Sequence, residues 1–95
     1  MTKLDARSRP KLASKARLRW DVRDKAHLLL YPERGLRLNE TAGAIVRLCD
    51  GARTIAAIVT ELEAQLSGDP PAEIEREVMA FLERLYERGL LEVTA

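Results

Sequence analysis

The spacing of apolar residues changes at Asn39, and that change limits the fold more than any other feature of the chain. Before it, Leu36 and Leu38 flank Arg37, a period of two that suits a strand. After it, Ala42, Ile45, Val46 and Cys49 recur at i, i+3, i+4 and i+7, one face of a helix. Asn39 stands at the switch, and Asn is a favoured helix N-cap. The stretch therefore predicts a short strand feeding a helix over about residues 40–50. Asp50-Gly51 then predicts a turn, and Thr54 a cap for a second helix.

Two more strands are predicted upstream. Lys15 to Trp20 alternates, with Ala16, Leu18 and Trp20 on one face and Lys15, Arg17 and Arg19 on the other. Asp21 to Lys25 predicts a hairpin connection. Ala26 to Tyr31 is apolar on both faces, as a central strand of three would be. Pro32-Glu33-Arg34-Gly35 predicts a turn, Pro fixing φ and Gly taking a positive one. Leu36 to Leu38 is then a short edge strand.

Downstream, Ile55, Ile58, Val59, Leu62 and Leu66 share one face of the second helix. Ser67 to Pro71 ends it and opens a third, with Asp69 or Pro70 at the cap. Ile74, Val78, Phe81, Leu82 and Leu85 mark the third helix, which stops at Gly89. Leu90 to Val93 is an extended tail. The expected fold class is α+β: a three-stranded antiparallel sheet followed by three helices, winged helix-turn-helix-like. Residues 1–14, basic and without periodicity, are expected to be a flexible arm before a single domain at 15–95.

Ninety-five residues suffice for one domain with a modest core. No secretory h-region and no long apolar run is visible, so neither a signal peptide nor a membrane span is expected. One cysteine allows no intrachain disulfide and fits a reducing, cytoplasmic setting. His27 is the single histidine, so the usual zinc ligands cannot be assembled and no metal is expected. Cys49, on an apolar helix face with no base near it in sequence, reads as an inert buried thiol. The five glycines form no phosphate-binding loop. The residues thus predict no catalytic site and no cofactor.

A helix-turn-helix invites a nucleic-acid reading, which charge tests. Residues 1–25 hold nine Lys/Arg against three Asp. The third helix region holds three Arg against five Glu, a charge that phosphates repel. A DNA-binding role would need the basic arm to do nearly everything; it stands as the alternative.

Peptide binding fits better. An edge strand at Leu36, Arg37 and Leu38 exposes backbone groups that an incoming peptide can pair with as an added strand. Leu36 and Leu38 would face the core and Arg37 the solvent. At about 100° per residue, the third helix spills its apolar stripe over one shoulder, where Met79, Leu82 and Tyr86 lie, against a charged opposite shoulder. Those three are candidate groove residues; the plainer reading is that they pack on the sheet. An open edge also leaves a homodimer open.

Several words of the sequence, in order, resemble the PqqD family: Arg9-Pro10-Lys11-Leu12, Val22 to Tyr31, Pro32-Glu33-Arg34-Gly35, Leu38-Asn39-Glu40-Thr41-Ala42, Cys49-Asp50-Gly51, Thr54 to Ile58 and Arg88-Gly89-Leu90-Leu91. The resemblance covers about residues 9–93. It implies a peptide chaperone of the RiPP recognition element class, acting in pyrroloquinoline quinone biosynthesis. Such a protein would bind the precursor peptide PqqA on the third strand, against the third helix, and present it to the radical SAM enzyme PqqE. The chemistry would belong to that enzyme. Carried onto this chain, the binding positions would be Leu36, Arg37 and Leu38 on the strand, with the shoulder of the third helix opposite; Asn39, next to the strand, and Met79, Leu82 and Tyr86, named by helix angle alone, complete the expected peptide-binding set.

Overall fold

The structure is a computed structural model that describes residues 4–32, 34–65 and 70–94. Among the described residues, five strands and three helices follow in order: β1 (Arg9–Leu12), β2 (Arg17–Asp21), β3 (Ala26–Tyr31), β4 (Arg34–Leu38), α1 (Glu40–Leu48), α2 (Ile55–Gln65), α3 (Pro71–Glu87) and β5 (Leu91–Thr94). Strands β2, β3 and β4 form an antiparallel sheet with β3 in the centre, as its two-sided apolar pattern predicts. On the sheet's inner face, Leu18, Leu29 and Leu36 sit side by side across the three strands, with Leu29 fully buried. They meet the apolar faces of the helices in one core, whose members include Ile45, Val46, Ile58, Leu62, Val78 and Leu85. Burying each such side chain contributes about 1.5–3 kcal/mol.

The helix boundaries follow from local chemistry. The Asn39 side chain accepts the Ala42 N–H at 2.7 Å, capping α1. After α1, the Asp50 carboxylate accepts from the Ala52 and Arg53 N–H groups, which, led by the Ala52 bond, hold its pKa below the usual carboxylate value. Gly51 turns the chain with φ of 82°. Thr54 Oγ1 accepts the Ala57 N–H at 3.1 Å and its carbonyl accepts the Ile58 N–H. At the end of α3, the Leu90 N–H bonds the Leu85 carbonyl and the Gly89 N–H bonds that of Tyr86, with Gly89 at φ of 73°. That pair of bonds is a Schellman cap, and the left-handed residue it needs explains the glycine. The Ser67 to Asp69 connection, Leu66 and Glu33 lie outside the described residues.

The segment before Lys15 differs from expectation. It contains a strand, β1, which pairs antiparallel with β5 in register Arg9 to Thr94 through Leu12 to Leu91. Leu4 is buried in the main core. Ala6 and Ser8 carbonyls accept the N–H groups of Ala56 and Ile55, the first donors of α2. Helix N-termini always leave such donors to be satisfied from outside, and this segment supplies the acceptors. Two further expectations change. Gly35 lies inside β4 rather than in a turn, and its φ is not positive. A Cβ there would come within 3.2 Å of Leu30 Cδ2, so the glycine makes room for the neighbouring strand's leucine. Trp20, on the core-facing side of β2 by alternation, is 53% exposed, with its ring against His27 rather than in the core.

Cys49 is buried, and its thiol donates to the Ile45 carbonyl at 3.2 Å. Burial, and secondarily the Asp50 charge, push its pKa from 9.0 up to about 12. The unfolded chain therefore loses this proton more readily, and stability falls as pH rises above 9.0 toward 12. At pH 8 the native thiol is expected to react with an aromatic disulfide reagent only as fast as the protein opens, and at once in denaturant. Rapid labelling of the native protein would contradict this placement.

Candidate functional site

The open side of β4 is the feature that can do something chemically. Tyr31 and Arg34 are direct partners three positions apart, so they exchange both backbone hydrogen bonds, and such pairs alternate along an antiparallel ladder. The bonded pairs are then Tyr31/Arg34, Leu29/Leu36 and His27/Leu38. The β2–β3 ladder has the complementary phase, starting from Asp21/Ala26. It follows that the N–H and C=O groups of Gly35 and Arg37 point away from β3. Neither residue's backbone has another partner among the described residues. Two donors and two acceptors thus line an exposed edge at alternate positions, the arrangement that pairs with an added strand.

Side chains along this edge alternate as expected. Leu36 is half-buried against the core, Leu38 is buried, and Arg37 is exposed and pairs with Asp24 at 3.6 Å. Asn39 is exposed, its side-chain oxygen engaged as the α1 cap. On α3, Met79 and Tyr86 are half-buried and packed against the same core as Leu36. Leu82 is fully buried, so it is a core residue with no surface to offer a partner. α3 packs chiefly on α2 and β5, and β4 on β3 and α1. Leu36, Met79 and Tyr86 are therefore joined through the core beneath them rather than by extensive contact between β4 and α3.

At the Leu38 end of β4 a half-open cleft of about 890 Å³ lies between the β2–β3 turn and α1. Sequence reasoning did not find it. His27 lies in its wall, edge-to-face with Trp20 at 4.9 Å between ring centroids. The ring rests on α1 at Gly43, where a Cβ would approach His27 Cδ2 to 2.6 Å. The signal was present as a helix-interior glycine facing a strand histidine, but spacing alone cannot pair two such distant positions. Among the described residues no three His, Cys, Asp or Glu side chains gather as metal ligands, and no helix is long and apolar enough to cross a membrane.

A three-stranded sheet whose outer strands are β2 and β4, backed by three helices, has the fold of a RiPP recognition element. The solution NMR structure of the PqqD truncation of Methylobacterium extorquens PqqCD, a functional and stand-alone recognition element, matches with a TM-score of 0.74 at 36% identity, covering 87% of each chain. TbiB1, solved in complex with the TbiA(beta) leader peptide, has the same fold, with a TM-score of 0.73 at 24% identity over 90% of this chain and 98% of that one. Residues 26–91 match the family model of coenzyme PQQ synthesis protein D. The PqqA binding protein of Stutzerimonas stutzeri strain A1501 is 42% identical over 78 residues, 81% of this chain and 82% of that protein. The chain belongs to the PqqD family.

Proposed function

We propose that this chain binds the precursor peptide PqqA as a fourth strand on the open edge of β4 and presents it to the radical SAM enzyme PqqE. The outward-pointing backbone groups of Gly35 and Arg37 carry this reading. They offer main-chain pairing for affinity, while Leu36 on β4 and Met79 and Tyr86 on α3, all half-buried over the same core, offer apolar contact for side chains of the peptide. The names of the relatives, PqqA binding proteins, support the identity of the peptide. The PqqE step rests on the resemblance to the family. In this role the protein is a non-catalytic partner in pyrroloquinoline quinone biosynthesis, acting in the cytoplasm, where a free cysteine such as Cys49 stays reduced.

Calorimetric titration with synthetic PqqA tests the reading. Saturable binding of one peptide per chain is expected, with a negative heat-capacity change from the apolar surface buried. A scrambled peptide of the same composition should not bind. Equal binding of both peptides, or of neither, would overturn the proposal.

A further inference from the structure

The cleft at the Leu38 end of β4 is electrostatically unbalanced. Lys25, Arg37 and Arg47 line it with a single carboxylate, Glu40. Asp24 draws on one of these cations through its 3.6 Å pair with Arg37. Lys25 and Arg47 have no ion-pair partner among the described residues. Glu40 and Arg47 stand at i and i+7 on α1, on the side away from its buried face, which places the two at the rim of the cleft.

Three further observations mark the cleft as a built feature. Lys25 holds its position with φ of 51°, the one positive φ among the described non-glycine residues. A lysine in that region costs free energy, which the surrounding turn has to offset. The Trp20 indole is left 53% exposed over the opening, held by the His27 ring. The Nδ1 atom of His27 is buried with no hydrogen-bond partner. The cleft is also continuous with the open edge, since Arg37 and Leu38 belong to both.

We propose that this cleft is a subsite for one acidic side chain of the bound peptide, next to the segment added to β4. The proposal rests on the strand-addition reading above. The added strand would fix the peptide's register on the edge, and the carboxylate would settle between Lys25 and Arg47 beside the Trp20 ring. A strand held only by backbone bonds can slip by two residues without changing which side chains face the core. A charged anchor at one end of the edge removes that freedom, so the cleft sets register as well as adding affinity.

The test combines the full chain, its Lys25→Glu/Arg47→Glu variant, and a set of PqqA peptides in which each Asp or Glu in turn becomes Asn or Gln. Both changed residues are exposed, and Tm checks that the variant folds. The charge-reversed protein is expected to bind PqqA about fivefold or more weakly at low salt. One peptide position, and one alone, should show a comparable loss on the native protein and none on the variant. A Lys at that position should restore binding to the variant. Emission from Trp20, the single tryptophan, should shift on binding the native peptide and not the neutralised one. Unchanged affinity in the variant would overturn the subsite. So would small, equal losses at every acidic position, which would indicate a diffuse field, or a variant that loses affinity for random duplex DNA and none for PqqA. If an Arg37→Pro chain also binds PqqA normally, strand addition itself fails; if only the cleft variants are neutral, the subsite alone fails.

Discussion

Removing residues 1–13 is expected to lower Tm by about 15 °C or more. The segment looks like a solvated basic tail, but three separate contributions depend on it. Leu4 sits in the main core, and its loss exposes apolar surface where about 1.5–3 kcal/mol of burial had been. The Ile55 and Ala56 N–H groups lose the Ser8 and Ala6 carbonyls, at about 1 kcal/mol each. Strand β5 loses its ladder partner, so Leu91, buried against the core, is held by one fewer neighbour. Together these come to about 3–6 kcal/mol, a large share of the 5–15 kcal/mol that typically holds a domain together. Thermal unfolding followed by circular dichroism measures it. A shift below about 3 °C would mean that the segment contributes as a loose arm would.

A proline at Arg37 should abolish most peptide binding while leaving the fold intact, and a proline one residue later should do the reverse damage. The Arg37 N–H points away from β3, and proline is tolerated on an edge strand where the missing donor faces outward. An added strand would lose that hydrogen bond and meet the ring instead, for an expected loss of about tenfold or more in PqqA affinity with little change in Tm. Arg37→Ala keeps the donor and removes the charge, so the difference between the two variants isolates the backbone contribution. Leu38 is different on both counts. Its N–H belongs to the bonded pair with His27, and its side chain is 4% exposed. Leu38→Pro is expected to destabilise the fold by about 3 kcal/mol or more. If Arg37→Pro unfolds the protein and Leu38→Pro does not, the ladder phase is the opposite of the one described here.

Much of this architecture was legible from periodicity and capping residues. The switch at Asn39, the Thr54 cap, the stop at Gly89 and the apolar stripes of all three helices lie where the sequence predicts. These depend on neighbours a few residues apart, which one sequence displays. What was missed depends on partners far along the chain. Strand β1 is four residues long, with two cations and Pro10, and its partner β5 is at the other end of the domain. Leu82 sits on the shoulder of the α3 stripe by angle, but it belongs to the main core and has no exposure. Angle tells which side of a helix is apolar, and not which neighbour covers it. Gly35 reads as a turn residue by type and proves to be a strand residue whose missing Cβ accommodates Leu30.

The edge itself was predicted from its short length and its place as third strand, and the register now says which of its groups are available. Leu36 and Leu38 spend their N–H groups on β3 with or without a partner; Gly35 and Arg37 do not. Amide hydrogen exchange and chemical shifts of these four residues, measured with and without PqqA, test that division most directly. The Gly35 and Arg37 amides are expected to exchange fast in the free protein, then to slow sharply and shift on binding, while Leu36 and Leu38 stay protected throughout. Saturating PqqA that leaves the Gly35 and Arg37 amides unprotected would contradict binding by strand addition at β4.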